Sequence, residues 1–261
     1  KDYGADILRM LVASSDYNED IRISPVILSR LSEAYRKIRN TARFILSNLY
    51  DFNPNTDKAE QKDFRKIDKW ILFRLNSLCL AVDQVYDDFQ FHNAYKLIYD
   101  FCNEDLSMYY LDMAKGRLYT YAASSPERRA AQTVLYEVLN CLVRIISPVL
   151  VFTAEEIWQN MPKQAKDKSL ASIHLLDWPE NREKLFVGEE KELRNLDLYV
   201  IEFLCPQVAK KLEDLRTKNE IGSSFDAQIN ILTKTQDRYT FLQSFNIELD
   251  EIFKVSQVKV T

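Results

Sequence analysis

Apolar side chains in this sequence recur at alternating spacings of three and four residues over long stretches, the pattern of one buried face of an α-helix. The longest stretch follows Ser24-Pro25, where serine can cap a helix and proline suits its first position. With only 4 Gly and 7 Pro in 261 residues, the chain lacks the many turn residues that an all-β fold requires. A mainly α fold is therefore predicted. The first long helix, of about seven turns, presents Leu28, Leu31, Tyr35, Ile38, Ala42, Ile45 and Leu49.

The same periodicity predicts a helical bundle in the middle of the chain. Ser125-Pro126 opens a helix that Ser147-Pro148 ends, and we predict that it is central because its second half is apolar on nearly every side. Thr153-Ala154-Glu155-Glu156 matches a capping box, which predicts a short helix to Met161. Further helices are predicted over residues 5–15, 66–87, 93–119 and 192–218.

The tail differs in character from the bundle. Residues 227–232 and 253–260 alternate apolar and polar side chains, which predicts two half-buried strands around a helix at 237–245. An extended piece is also expected at 173–178, and the polar, proline-bearing residues 51–63 favour a domain linker. We therefore expect three units: helices in 1–60, a bundle in 61–190, and a helix followed by a small α/β tail in 191–261.

Composition limits the class of protein. Charged residues make up 28% of the chain, and no apolar run reaches the roughly 20 residues of a membrane span, so no membrane partner is expected. The start at Lys1 resembles no signal peptide, and we expect an excised fragment. No C-x-x-C pair occurs, so we expect no metal, no disulfide bond and a reducing compartment. The four cysteines are Cys79, Cys102, Cys141 and Cys205.

The common catalytic motifs are absent from the chain. It has no G-x-x-x-x-G-K-[ST], no G-x-G-x-x-G and no H-E-x-x-H. Its two histidines, His92 and His174, have no catalytic partner that spacing points out, and we expect the first at a helix start and the second on a strand. No catalytic residue and no cofactor site is therefore predicted.

The most informative local feature is a group of polar and basic residues on the first long helix. Arg36, Arg39, Asn40 and Arg43 share an arc of about 100°, roughly a third of a turn from the apolar stripe. Arg30 and Lys37 add positive charge nearby, although the whole chain has a net charge of −4. Arginine suits phosphate because its planar fork can hold two oxygens. A nucleic-acid contact and a solvated face with ion pairs both remain open from charge alone.

A second basic stretch lies at residues 115–121. Lys115 and Arg117 stand beside Tyr119 and Tyr121 near the predicted end of a helix. Aromatic rings can stack on unpaired RNA bases while cations hold phosphates. The alternative is that the tyrosines are partly buried and that the cations suit the helix C-terminus.

Motifs spread over residues 3–224 resemble those of one family. They are Tyr3-Gly4-Ala5-Asp6, Ala13-Ser14-Ser15-Asp16-Tyr17, Tyr35-Arg36-Lys37-Ile38-Arg39-Asn40-Thr41-Ala42-Arg43-Phe44, Asp105-Leu106-Ser107, Lys115, Arg117-Leu118-Tyr119, Phe152-Thr153-Ala154-Glu155-Glu156-Ile157-Trp158 and Ile221-Gly222-Ser223-Ser224. Together they resemble the part of class I aminoacyl-tRNA synthetases that follows the KMSKS loop, and residues 13–24 resemble the isoleucyl-tRNA synthetases most. Gly116 departs from the family, which more often has an acidic residue there.

The resemblance implies a fold and a function. Residues 1–60 would be stem-contact helices, residues 61–190 an anticodon-binding helical bundle, and 191–261 a C-terminal subdomain. The implied partner is tRNA, contacted by Arg36, Lys37, Arg39, Asn40, Arg43, Lys115, Arg117 and Tyr119. The implied parent is a cytoplasmic ligase, expected to be monomeric, that uses ATP and Mg²⁺ to attach isoleucine to tRNA. Its catalytic and editing centres, and the zinc module of many relatives, would lie outside these residues.

Two other readings stay open at this point. The valyl-tRNA synthetases share the Glu-Glu-Ile-Trp and Ile-Gly-Ser elements, so the amino acid could be valine. A helical module whose basic face docks an acidic protein would also account for the charge pattern.

Overall fold

The fold is that of a computed structural model, which describes residues 3–167, 169–179, 188–245 and 248–261. It is mainly α with a two-stranded parallel sheet near the C-terminus, as the sequence predicts. The helices are α1 (Ala5–Ser14), α2 (Pro25–Asn48), α3 (Lys66–Asp87), α4 (Phe91–Asp100), α5 (Leu111–Thr120), α6 (Pro126–Ile146), α7 (Val151–Asn160), α8 (Glu190–Asn195), α9 (Cys205–Thr217), α10 (Gln236–Gln243) and α11 (Glu248–Phe253). The strands are β1 (Gln228–Ile231) and β2 (Gln257–Val260).

Helix α6 lies at the centre of the bundle, as its apolar circumference predicts. Its N-cap is Ser125, whose side chain accepts a hydrogen bond from the Arg128 N–H at 3.2 Å. Nearly all of its side chains from Ala130 to Ile146 are buried, and α3, α5, α7 and α2 pack around it. The burial on every side follows from the absence of a polar face.

The predicted linker at 51–63 packs closely on α6. Phe52 is buried, and its ring centroid lies 5.7 Å from that of Tyr136. Asp51 accepts hydrogen bonds from Arg128 at 3.0 Å and from Gln132 at 2.7 Å. The buried side chains form one cluster that runs from α1 to the tail, and the predicted division into three units stays a prediction.

Two long helical rods contain π-helical segments that the periodicity did not indicate. Residues Phe101–Tyr110 join α4 to α5, and Leu196–Leu204 join α8 to α9. Each segment supplies a carboxylate to Arg74 of α3, with Asp105 at 3.2 Å and Asp197 at 3.3 Å. Burial raises the pKa of Asp105 to about 6, although the Arg74 guanidinium opposes the shift. The two segments therefore meet at one arginine.

Three local predictions are wrong. Thr153 does not cap a helix, because α7 already begins at Val151 and the cap comes from Asp6 of α1, which accepts the Thr153 N–H at 2.8 Å. The expected strand at 173–178 is a 3₁₀ turn, Ile173–Leu175, anchored by Glu155, which accepts the Ile173 N–H at 3.1 Å. The last strand begins at Gln257, because α11 occupies the residues up to Phe253.

A buried ionic cluster joins the bundle to the C-terminal helix α11. The Arg117 side chain is 1% exposed and donates two hydrogen bonds to Asp68 of α3, at 2.6 and 2.8 Å. Asp68 also accepts from the Tyr110 hydroxyl at 2.6 Å and from the Arg65 N–H at 3.0 Å. On the other side, Arg117 donates to Glu251 of α11 at 3.1 Å. The cluster thus ties α3, α5 and α11 together.

The charge state of Asp68 depends on this pairing. Burial alone would raise its pKa, but the Arg117 guanidinium and the hydrogen bonds from Arg117, Tyr110 and the Arg65 N–H hold the pKa below its ordinary value. A carboxyl whose pKa is lower in the folded state than in the unfolded state stabilises the fold at pH values above its unfolded-state pKa. That stabilisation is lost as the pH falls through its folded-state pKa.

We predict that Arg117→Met lowers the free energy of unfolding by about 3–5 kcal/mol at neutral pH, because it leaves Asp68 charged and buried without its partner. Urea denaturation measures the loss. The loss should shrink on acidification, since protonated Asp68 no longer needs a cation. The control is Arg216→Met, which removes an exposed pair with Glu213 (side chains 44% and 69% exposed) and should cost about 1 kcal/mol or less. Equal losses in the two variants would contradict the prediction.

Candidate nucleic-acid interface

Helix α2 positions most of the predicted contact residues. Ser24 caps it by accepting the Ile27 N–H at 3.2 Å, and Pro25 occupies its first turn. The helix buries Leu31, Ile38 and Ile45 against α1, α6, α7 and the π-helical segment before α5. This seam fixes the rotation of α2, so the residues about a third of a turn away face solvent.

The basic face of α2, defined as Arg36, Lys37, Asn40 and Arg43, is exposed along its length. Among the described residues, Arg36 donates only to the Ser32 carbonyl one turn earlier, at 3.3 Å. Within the part of the chain that the structure describes, none of the three cations of this face has a carboxylate within 4.0 Å. These cations therefore lie open to an anionic ligand.

Arg39 differs from its neighbours on α2 because it has an internal partner. Its guanidinium forms a two-pronged contact with Glu156 of α7, at 2.5 and 2.7 Å. The hydrogen bond from Arg39 holds the pKa of Glu156 below its ordinary value, against the opposing effect of burial. Both side chains are about half exposed, and a hollow of about 350 Å³ lies beside them between α1, α2 and α7. The pair is thus reachable from solvent.

A relay of hydroxyl groups lies beneath Arg39. Its guanidinium approaches the Tyr35 hydroxyl at 3.4 Å, and that hydroxyl lies 2.9 Å from the Thr153 Oγ1. Thr153 in turn donates to Asp6 at 2.6 Å. Since Thr153 uses its proton on Asp6, the Tyr35 hydroxyl donates to Thr153. The relay joins α1, α2 and α7 and orients Arg39.

The second basic stretch separates into exposed and buried residues. Lys115 is exposed and pairs with Asp112 at 2.7 Å, and Tyr119 is 62% exposed. The prediction that Arg117 contacts RNA is wrong for this fold, because its side chain is buried and hydrogen-bonded to Asp68 and Glu251. Gly116 is not required by packing, since an added Cβ would meet nothing within 4 Å.

A signal for the burial of Arg117 was present in the sequence. It falls four residues after Met113 and seven after Tyr110, on the same stripe as these two buried side chains. A cation on an apolar stripe indicates a buried ion pair. Its partner could not be found by spacing, because Asp68 lies 49 residues away in the chain.

The cysteines and histidines of the described residues lie apart from the basic face of α2. All four cysteines are buried, and Cys79, Cys102 and Cys141 lie on helices as small apolar side chains do. No group of three or more potential metal ligands occurs in residues 3–167, 169–179, 188–245 and 248–261. His92 lies in the first turn of α4, as predicted, and His174 lies exposed in a 3₁₀ turn rather than on a strand. Among the described helices, none is both long and apolar enough to span a bilayer.

The chain matches a known protein family and curated relatives over most of its length. A family model described as the anticodon-binding domain of tRNA ligase matches residues 68–231. Curated relatives named isoleucine–tRNA ligase match nearly the whole chain: that of Natranaerobius thermophilus is 47% identical over 258 residues, and that of Thermoanaerobacter sp. is 45% identical over 261 residues. Each alignment covers 99% of this chain and 27% of the relative. The chain therefore spans little more than a quarter of their length.

A solved structure shares the fold. The crystal structure of an Agrobacterium radiobacter LeuRS in a ternary complex with tRNA and LeuAMS matches with a TM-score of 0.53 and 19% identity. The match covers 70% of this chain and 20% of that one.

We predict that Arg39→Ala raises the pKa of Glu156 toward its ordinary value, because it removes the main hydrogen-bond donor to that carboxylate. Carboxyl-detected NMR titration measures the shift. The neighbouring Glu155 is the control, because Gln159, Ser172 and the Ile173 N–H, rather than Arg39, keep its pKa low against the effect of burial. A Glu156 titration that is unchanged in the variant would show that the pair does not form in solution.

Proposed function

Because this chain belongs to the family of anticodon-binding domains of tRNA ligases, we propose that it binds tRNA through the basic face of α2. The observation that carries the proposal is the open state of Arg36, Lys37 and Arg43 in a chain whose net charge is −4. Most of the other arginines of the bundle have carboxylate partners, so the local excess on α2 is not a general property of the surface.

The spacing on α2 suits a nucleic-acid backbone. Arg36 and Arg43 stand two turns apart, about 10 Å along the helix axis. Their planar guanidinium groups can each hold two oxygens of one phosphate, with Asn40 between them as a neutral donor. Such contacts fix the position of the RNA without reading its sequence.

In this proposal, Arg39 and the second basic stretch at residues 115–121 contribute less to tRNA binding than the basic face of α2. Arg39 reaches a phosphate only by leaving Glu156, so it contributes less than its open neighbours. Lys115 supplies a further cation, and the exposed ring of Tyr119 offers a stacking surface for an unpaired base.

The proposed setting is an isoleucine–tRNA ligase. Relatives with that name are 41–47% identical over nearly the whole chain, which supports isoleucine over valine. In this proposal the parent is a cytoplasmic monomer that uses ATP and Mg²⁺ to charge tRNA, and the chemistry takes place outside these 261 residues. The chain itself contributes binding of tRNA.

We predict that this chain binds isoleucine tRNA weakly at low salt, and that Arg36→Glu with Arg43→Glu abolishes measurable binding. Fluorescence anisotropy across a salt series measures both. Arg36→Ala alone should flatten the slope of log K against log salt by somewhat less than one, since one phosphate contact and its released counterions are lost.

The matched control reverses the same amount of charge elsewhere. Lys234→Glu with Lys259→Glu changes two exposed lysines of the tail and should leave most of the binding intact. Absence of binding by the unmodified chain, or equal effects of the two double variants, would overturn the proposal. Tighter binding of valine tRNA than of isoleucine tRNA would assign the proposed parent enzyme to valine instead. Capture of an acidic protein that RNase treatment does not release would favour a protein-docking module.

A further inference from the structure

The contact between Arg39 and Glu156 places a carboxylate where a phosphate could bind. Two guanidinium nitrogens of Arg39 donate to the two carboxylate oxygens of Glu156, at 2.5 and 2.7 Å. A phosphate group also offers two oxygens to a guanidinium, so carboxylate and phosphate are alternative partners for the same planar fork. Glu156 therefore occupies the anion-binding side of Arg39 in this structure.

Solvent reaches this pair from the hollow between α1, α2 and α7. The hollow, of about 350 Å³, is lined by both side chains and by the start of α1 at Gly4 and Ala5. The Arg39 and Glu156 side chains are 41% and 54% exposed, and ion pairs as open to water as this contribute little to stability. An incoming anion can therefore replace Glu156 without disturbing the helices around it.

The buried pair of Arg117 with Asp68 shows why exposure matters for an exchange of partners. Those two side chains are 1% and 0% exposed. Breaking that pair would leave a charge buried without its partner, which is strongly destabilising. Breaking the pair of Arg39 with Glu156 leaves both charges accessible to water, so this pair can exchange while the buried one cannot.

Arg39 keeps an anchor when Glu156 leaves. The Tyr35 hydroxyl, which lies 3.4 Å from the Arg39 guanidinium, is held by Thr153 at 2.9 Å. Thr153 is buried and donates in turn to Asp6 at 2.6 Å, so these hydroxyl groups are fixed independently of Glu156. The released guanidinium therefore stays beside α7, which reduces the side-chain entropy that a phosphate contact would cost.

The released guanidinium would complete a row of cations on α2. Arg39 stands three residues after Arg36 and four before Arg43, and residues at these spacings are neighbours on a helix surface. Among the described residues, Arg36 and Arg43 have no carboxylate within 4.0 Å, whereas Arg39 has Glu156. Loss of this one contact thus changes the number of cations that α2 offers to RNA.

We propose that Glu156 competes with tRNA phosphate for Arg39 and is displaced when tRNA binds. The inference rests on the proposed function, which supplies the RNA, and adds a residue that lowers the affinity for tRNA rather than raising it. In the free protein Glu156 holds Arg39. In the complex a phosphate takes the guanidinium, and the Glu156 carboxylate returns to water. Glu156 thereby limits how tightly α2 holds the RNA backbone without contacting the RNA itself.

The test compares the unmodified chain with Glu156→Gln, Arg39→Ala and the double variant, in tRNA binding over a salt series. We expect Glu156→Gln to tighten binding of isoleucine tRNA about three- to fivefold, because the phosphate no longer displaces a charged partner. The slope of log K against log salt should stay the same, since the number of phosphate contacts does not change. Arg39→Ala should flatten that slope by somewhat less than one, because one phosphate contact is lost.

The matched control is Glu155→Gln, which removes the same charge from the preceding residue of α7. The Glu155 carboxylate accepts from Ser172 and from the Ile173 N–H rather than from Arg39. This variant measures how much the loss of one nearby negative charge strengthens binding without an exchange of partners. Once Arg39 is Ala, Glu156→Gln should strengthen binding no more than this control does.

Three results would overturn the inference while leaving the proposed function intact. Glu156→Gln could act like Glu155→Gln, or it could tighten binding equally when Arg39 is absent, and either result would show that Glu156 does not compete. A steeper salt slope for Glu156→Gln would show that tRNA never displaces Glu156 in the unmodified chain. Glu156 is exposed, so its variants should fold, and thermal melts check this. Failure of the unmodified chain to bind any tRNA would instead overturn the proposed function itself.

Discussion

The contact between Arg117 and Asp68 is the interaction on which the arrangement of the helices depends. Both side chains are almost fully buried, and removing two charges from water is costly unless every donor and acceptor is paired. Asp68 receives four hydrogen bonds, and Glu251 of α11 takes the remaining side of Arg117. A saturated pair tolerates only one geometry, so α3, α5 and α11 are held in one relative position. The start of α3 depends on the same helix, because Glu248 accepts the Lys66 N–H at 2.8 Å.

The position of α11 determines the shape of a cleft of about 760 Å³ that it forms with α9 and the rod that ends in α5. Helix α11 forms one wall, and Lys254 at its end sets part of the rim. The same cluster keeps Arg117 away from solvent, so the basic group that the motif suggested for RNA serves instead to build the cleft. Neighbouring cations thus lie in different environments: Lys115 is exposed, while Arg117, two residues later, is buried.

The arginines fall into two classes, paired with carboxylates or unpaired among the described residues, which contribute differently to the positive charge of the surface. Arg74, Arg117 and Arg128 pair with carboxylates inside or between helices and contribute little field at the surface. Arg36 and Arg43 have no such partner among the described residues, so an acidic chain presents a locally positive face. Arg39 lies between the classes, since Glu156 holds it but solvent reaches both. Exposed pairs of this kind are weak, so a phosphate can compete for the guanidinium.

The long helices and the open arginines were predictable from the sequence. The apolar period of α2 fixes which side chains face inward, and with it the outward direction of Arg36 and Arg43, because a helix face is a local property. The motifs likewise pointed to the family that residues 68–231 match. The π-helical segments, the cap of α7 by Asp6 and the burial of Arg117 were not predictable, because each depends on a partner on another helix.

By itself, therefore, the sequence determined the mainly α class, the extent of α2, α3 and α6, and the cationic face, all of which follow from side chains within a few turns of one another. Only the tertiary structure decided which cations are free and where a concave site forms. The physical reason is that ion pairing and cleft formation depend on distances between residues far apart in the chain, such as Asp68 with Arg117 or Met108 with Phe225, and no local periodicity encodes those distances.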